Sequence, residues 1–293
     1  MTGLDGGRTT VKARAVAALK ADYPLAVLLD VAGLARSTFF YHQARLDAVD
    51  PQAELKAAIS KEFHDAKARY GHRRIHSELA KQGWQVAKKT VLKLMRVLGL
   101  TCKVRRRRKY NAFKGEAGVI APNVLNRDFA ADRPNQKWVT DVTEFRVGNC
   151  KAYLSPIIDL FDNGVVAHTI GLSPSLELTN ESLRQAMSTL APGEHPIVHS
   201  DQGFQYQHTT WRTILKDKAV QSMSRKATCL DNSVAENFFS HLKEEMFHHD
   251  NYATIDELID AVDEYIDWYN NVRNSTKLKG LSPVQYRTQA LAA

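Results

Sequence analysis

Along the chain the apolar positions change their period, from helical in the first third to strand-like after residue 136. Between Tyr23 and Arg45, Leu25, Val27, Leu28, Leu29 and Val31 recur at helical spacing, break at Ala32-Gly33-Leu34 and resume in Ser37-Thr38-Phe39-Phe40-Tyr41. Helix, tight glycine turn and short helix follow from that pattern, which is the grammar of a helix-turn-helix. An ordinary helical hairpin is the alternative, since only Arg36, His42 and Arg45 offer side chains to DNA there.

A second helical unit starts near Pro51 with the good helix formers from Ala53 to Ile59 and reaches Arg69-Tyr70-Gly71-His72-Arg73-Arg74. A third helix carries Ile75, Leu79 and Ala80 up to Gly83-Trp84. The stretch from Val86 to Gly99 is apolar at 91, 94, 95 and 98 and basic at Lys88, Lys89, Lys93 and Arg96. One face of such a helix packs and the other can meet phosphate; a solvated cationic face is the competing reading.

From Gln136 the alternation shortens. Trp138, Val139, Val142, Phe145 and Val147 alternate with polar residues, followed by apolar runs over Ala152 to Phe161 and Gly164 to Leu172, with turns at Gly148-Asn149 and Asp162-Asn163-Gly164. Three hairpin-linked strands are expected. Leu176 to Leu190 reads as helix, Pro196 to His199 as a short buried strand, and Thr209 to Asp217 as helix again. Two long helices are expected over Ser233 to His249 and Thr254 to Asn274, giving a mixed sheet with helices.

Composition sharpens the division. The 293 residues suffice for a catalytic domain and one or two small modules. The net charge of +8 hides an asymmetry: residues 1 to 130 hold 25 Lys and Arg against 11 Asp and Glu, and residues 131 to 293 hold 15 against 21. A basic front half that grips a polyanion and a back half rich in carboxylates is the natural reading. Arg105, Arg106, Arg107 and Arg108 lie in a run with six cations in the seven residues from Lys103 to Lys109, expected as a linker along a nucleic-acid backbone. No apolar run reaches transmembrane length and the start lacks the order of a signal peptide, so a cytoplasmic protein with no membrane partner is expected. Cys102, Cys150 and Cys229 are scattered without a CxxC pair, and His72 and His76, though spaced i, i+4, have no second ligand pair nearby for zinc.

Three acidic residues in dissimilar settings carry the candidate chemistry. Asp141 falls mid-strand among Val139, Val142 and Phe145, where a charge is costly to bury without a metal or cation. An exposed edge aspartate is the alternative. Asp201 lies after the apolar strand Ile197-Val198 and before Gly203, at the carboxyl end where α/β sheets place their sites, or else it merely forms the turn in Asp-Gln-Gly. Glu236 has a competing role in a capping box from Ser233, yet Glu236, Ser240 and Lys243 share one helical face while Ala235, Phe239, Leu242 and Met246 form the opposite one. Carboxylates gathered from distant segments are what a pair of divalent metals needs to cut and join phosphodiesters.

At these residues the chain resembles a known family. Thr140-Asp141-Val142-Thr143, His199 to Tyr206, Ser222-Met223-Ser224-Arg225-Lys226 and Asp231 to Lys243 are similar to the signature of bacterial DDE transposases. More narrowly, they resemble OrfB, the second-frame product of a large insertion-sequence family whose catalytic domain is similar to retroviral integrase. Tyr269 to Arg273 and Leu281 to Tyr286 resemble that family's tail.

The resemblance implies a ribonuclease-H-like α/β core with a mixed five-stranded sheet flanked by helices and preceded by all-α DNA-binding modules. The expected boundaries are a helix-turn-helix-like module over 1–50, a second helical module over 51–110 with a basic linker to about 132, the catalytic core over 133–250 and a C-terminal helical segment over 251–293. Asp141, Asp201 and Glu236 are implied as ligands of two divalent ions, Mg²⁺ with Mn²⁺ as the alternative, and Lys243 as a DNA contact beside them. Arg225 and Lys226 are further candidates for gripping DNA near the metals. The expected function is a transposase subunit that binds insertion-sequence ends, hydrolyses one strand and transfers the 3′-OH to target DNA. Double-stranded DNA, further copies of the chain, and an upstream-frame protein or a fusion with it are the expected partners. A non-catalytic DNA-binding regulator or inactive remnant is the alternative, and a nuclease without strand transfer is a third reading.

Overall fold

The computed structural model describes residues 5–46, 50–103, 120–225 and 229–292. They form two compact units, Met1–Ala58 and Ile59–Ala293. In the first, α1 (Asp5–Leu19), α2 (Leu25–Ala32) and α3 (Arg36–Leu46) close over Ala13, Val16, Leu29, Leu34 and Phe39. The turn between α2 and α3 depends on Gly33, whose left-handed backbone (φ 58°) lets its N–H close back on the Asp30 and Leu29 carbonyls. The apolar spacing from Leu25 to Tyr41 thus gives the expected helix, turn and helix.

Next along the chain comes α4 (Ala53–Asp65). In the second unit, α5 (His72–Lys81) buries Ile75 and Leu79, and α6 (Lys88–Val97) buries Val91, Leu94 and Met95. Lys88, Lys89, Lys93 and Arg96 are all exposed on α6, as the alternation of apolar and basic positions requires. His76 spends its Nε2 on the Val86 carbonyl at 2.9 Å, so a local hydrogen bond accounts for it.

The sheet is built from β1 (Lys137–Thr140), β2 (Thr143–Val147), β3 (Cys150–Asp159), β4 (Val165–Gly171), β5 (Ile197–Ser200) and β6 (Val220–Met223). β1 and β2 are consecutive segments along one edge of β3: Trp138 pairs Asp159 and Thr143 pairs Leu154, both antiparallel. β4 takes the other edge of β3, while β5 runs parallel to β1 and β6 parallel to β5. The sheet therefore has five lines of strand, with β1 and β2 sharing one of them. The line breaks at Asp141-Val142.

Helices cover both faces. On one, α10 (Ser233–Glu245) and α11 (Ile255–Asn271) pack Phe238, Leu242, Leu258, Val262 and Tyr265 onto Val139, Phe145, Leu154 and Ile158. On the other, α7 (Leu176–Ser188), α8 (Phe204–Gln207) and α9 (Thr209–Leu215) pack Leu183, Tyr206, Trp211 and Leu215 onto Trp138, Ile157 and Val198. Neighbours such as Trp138 and Val139 feed opposite cores, the signature of a strand buried on both sides. After α11 the chain ends in α12 (Pro283–Leu291), opened by a capping box between Ser282 and Gln285. No helix is long and apolar enough to cross a membrane among the described residues.

Candidate active site

The parallel pairing of β1 and β5 sets the geometry. Trp138 pairs Val198 and Val139 pairs His199, and the same register carried two residues further brings Asp141 opposite Asp201. Each aspartate is the first residue beyond the carboxyl end of its strand, and neighbouring strands lie only about 4.8 Å apart. The break between β1 and β2 frees Asp141 from the ladder, and its Oδ1 accepts the Val142 N–H at 2.8 Å. Asp201 Oδ1 accepts the Gly203 N–H at 2.8 Å. A Cβ on Gly203 would lie 2.9 Å from that carboxylate oxygen and from Gln205 Oε1, so a side chain there would push the Asp201 carboxylate or the Gln205 amide aside.

Both carboxyls keep part of their surface open at the sheet's rim while lying deep among protein atoms. Burial and then the neighbouring Asp201 charge push Asp141 up to about 8; the Val142 N–H opposes this, Glu236 adds to it and Lys243 opposes it. Asp201 is raised as well, by burial, against the Gly203 N–H. The buried Tyr206 hydroxyl is pushed far above its ordinary range, by burial first and then by these two aspartates. Three acidic groups and a lysine thus act on one another at the carboxyl ends of β1 and β5.

Glu236 and Lys243 reach the site from α10. Ala235, Phe239, Leu242 and Met246 bury one face of this helix, leaving Glu236, Ser240 and Lys243 half-exposed on the other. Lys243 Nζ stands 5.3 Å from the centroid of the Phe145 ring on β2. The capping box from Ser233 that competed for Glu236 does not form: the helix is capped by Asn232, which makes no side-chain capping bond. Asn232 instead donates its Nδ2–H to the Thr140 carbonyl at 3.2 Å, tying the start of α10 to the strand end beside Asp141. A role as a capping residue therefore does not account for Glu236.

Sequence reading missed the support beneath these groups. Asp231, with its side chain fully buried, accepts hydrogen bonds from Arg127 Nε at 2.6 Å, the Arg225 backbone N–H at 3.1 Å, Arg225 Nε at 3.2 Å and Asn123 Nδ2 at 3.1 Å. Burial pushes its carboxyl up, but Arg127 and Arg225 outweigh it and hold the group well below the usual carboxylate range. Arg225, expected as a DNA contact, thus has a structural partner, though half of its side chain remains exposed. His199, fully buried beside this cluster, holds Ser222 Oγ at 2.8 Å, and burial lowers its pKa to about 4, against the pull of Asp231. The only sequence signal for Asp231 was its place ahead of Asn232 in the stretch leading into α10.

Lys226 and Arg105, Arg106, Arg107 and Arg108 lie outside the described residues. Among the described residues, no group of three His, Cys, Asp or Glu side chains is gathered closely enough to hold a metal ion. The donors available are nonetheless carboxylate oxygens, the ligands that Mg²⁺ and Mn²⁺ prefer, and two of them stand as raised, mutually repelling neighbours that a cation would relieve.

Known proteins share both halves of the chain. The integrase core domain family matches residues 131–229, a second integrase core domain family matches 236–291, and an HTH-like domain family matches 51–108. InsK of the insertion sequence element IS150 in Escherichia coli (strain K12) is 48% identical over 272 residues, 92% of this chain and 96% of that protein. The transposase InsF for insertion sequence IS3A, also of Escherichia coli (strain K12), is 29% identical over 279 residues, 93% of this chain and 97% of its own length. Among solved structures, the HTLV-2 integrase catalytic core domain in complex with magnesium superposes with a TM-score of 0.39 at 18% identity, covering 53% of this chain and 97% of that one.

Proposed function

This chain belongs to the insertion-sequence transposases with an integrase core, the group of InsK and InsF, and on that premise we propose how its carboxylate site cuts and joins DNA. The reading rests above all on the placement of Asp141 and Asp201 side by side beyond two parallel strands, with α10 turning Glu236 and Lys243 toward them. Asp141, Asp201 and Glu236 would hold two divalent cations. When bound, such ions activate the attacking oxygen and stabilise the leaving oxygen of an in-line displacement at phosphorus.

Each remaining task falls to this chain's own groups. Asp141, which holds a proton near neutral pH, must release it to serve as a ligand. Lys243 brings positive charge beside the carboxylates, where the scissile phosphate's neighbours would lie. The exposed Lys88, Lys89, Lys93 and Arg96 of α6 supply attraction to the phosphate backbone without reading sequence. No serine or tyrosine nucleophile is needed, because water serves for strand hydrolysis and the freed 3′-OH serves for transfer to target DNA. The partners are then the element's ends and target DNA, with further copies of the chain to hold two ends together.

The test replaces single carboxylates by their amides. Asp141→Asn and Glu236→Gln should each reduce Mg²⁺-dependent cleavage of an end-containing duplex by at least a thousandfold, with duplex affinity within a few-fold of the parent, read by gel cleavage and anisotropy. Cleavage at the parent rate in either variant would leave a DNA-binding regulator as the better description.

A further inference from the structure

The C-terminal end of α10 is held by residues from the HTH-like region. Glu245 is the last residue of this helix, where the helix dipole disfavours a negative charge and the final carbonyls lack partners within the helix. Both problems are answered from outside. Arg69, in the turn before α5, donates Nε–H to the Glu245 backbone carbonyl at 3.0 Å and so caps the helix. Its guanidinium lies 4.5 Å from the centroid of the Trp268 ring on α11. Arg74, on α5, donates to Glu245 Oε1 at 3.1 Å.

From the other side, Arg273 grips the buried carboxylate with both arms, Nε to Oε2 at 2.8 Å and a terminal nitrogen to Oε1 at 2.7 Å. Tyr265 donates its hydroxyl to Oε2 at 2.9 Å. Burial pushes the carboxyl of Glu245 up, but Arg273, then Arg74 and His241, outweigh it and hold it at about 2. The same seam continues outward: the Asn274 backbone N–H donates to the Tyr70 hydroxyl at 2.7 Å, and Asn274 Nδ2 donates to Glu78 at 2.7 Å.

We propose that this joint is a positioning device for strand cleavage: Arg69 and Arg74 fix α10 against the HTH-like helices, so that a duplex held by α6 meets Glu236 in a set register. Glu236 lies nine residues before Glu245 on the same helix, a rise of roughly 13 Å along one rigid rod. A tilt at the capped end is therefore carried to the ligand end. The inference rests on the proposed role of Glu236, but the joint itself does not.

Arg74 is the residue to change, because Glu245 keeps Arg273 and Tyr265 as partners when Arg74 is replaced. In Arg74→Met, the affinity for a labelled duplex from the end of the encoding element should stay within twofold, while the single-turnover cleavage rate in Mg²⁺ falls at least tenfold at a temperature where circular dichroism shows the variant fully folded. Arg74→Lys should recover part of the rate, and it replaces Arg74→Met should the latter fail to fold. Lys67→Met, which removes an exposed ion pair with Glu264 on the same seam, should change neither quantity. Hydrogen exchange gives a readout independent of cleavage: duplex binding should slow exchange at Phe238 to Glu245 in the parent and not in Arg74→Met. Unchanged rate and exchange, or affinity and rate falling together, would overturn the positioning role. A parent that fails to cleave at all would instead count against the metal-site reading, with hydrogen exchange still deciding the joint.

Discussion

Asp141 is the residue whose surroundings conflict most with its charge. Burial and Asp201 raise its carboxyl from the ordinary 3.8 to about 8. Between those values the folded protein binds a proton that the unfolded chain does not, so stability from this group is fully present at low pH and is lost as pH rises toward 8. Without divalent ions the melting temperature should therefore fall between pH 5 and pH 8 by roughly ten degrees, at about 1.4 kcal/mol per pH unit and about 2–4 °C per kcal/mol. Asp141→Asn, neutral at every pH, should flatten that fall and melt higher than the parent at pH 8 in EDTA; a scan with the parent's slope would refute the reading. Mg²⁺ reverses the order, since it favours the ionised carboxylate, and should stabilise the parent more than the variant. The conflict was legible beforehand because Asp141 sits among Val139, Val142 and Phe145. Asp231 and Glu245 were not, since their partners Arg127, Arg74 and Arg273 are distant in sequence and an acidic residue in or beside a helix looks ordinary without them.

Among the elements, α6 gave the clearest signal. Its period of 3.6 separates Val91, Leu94 and Met95, all buried, from Lys88, Lys89, Lys93 and Arg96, all exposed, which is why the sequence sufficed to place both faces. Helix α10 was legible in its buried face, while at its start local spacing left a capping box as a competing reading, which the tertiary bond from Asn232 to Thr140 displaces. The split of one strand line into β1 and β2 was also hidden, because alternation alone continues smoothly through Asp141. For α6 the consequence is measurable. If its four cations lie on phosphates, changing all four to Gln should reduce the slope of log affinity against log salt by about 0.9 for each phosphate no longer neutralised, up to roughly 3.6. Anisotropy titrations between 50 and 300 mM KCl would measure it, and an unchanged slope would remove α6 from the DNA interface.

At the scale of the whole molecule, the site depends on segments that close the chain. Residues 251–293, expected as a helical C-terminal segment, contribute Leu258, Val262, Tyr265 and Tyr269 to the core beneath β1 and β3. From α12, Arg287 reaches back more than a hundred residues to Asp159, at the end of β3, and Asp162, in the turn to β4. The two carboxylates are almost fully buried, and Arg287 binds them at 2.9 and 2.6 Å. Asp159 is raised by burial, and Arg287 is one of the groups opposing that rise, after the N–H groups of Asn135 and Phe161. Removing the guanidinium leaves buried negative charge without its cation, a cost of about 3–5 kcal/mol by analogy with other broken buried pairs. Arg287→Met should accordingly lower the melting temperature by about ten degrees near neutral pH. With Arg287 gone, Asp159 rises further, so the unfolded chain releases its proton where the folded one retains it, and the deficit must widen as pH increases. Melting curves of parent and variant at pH 5 and pH 8 decide the matter. A deficit equal at both values would mean that Arg287 contributes through packing of its stem, and that the closing helix is joined to the sheet by shape and not by charge.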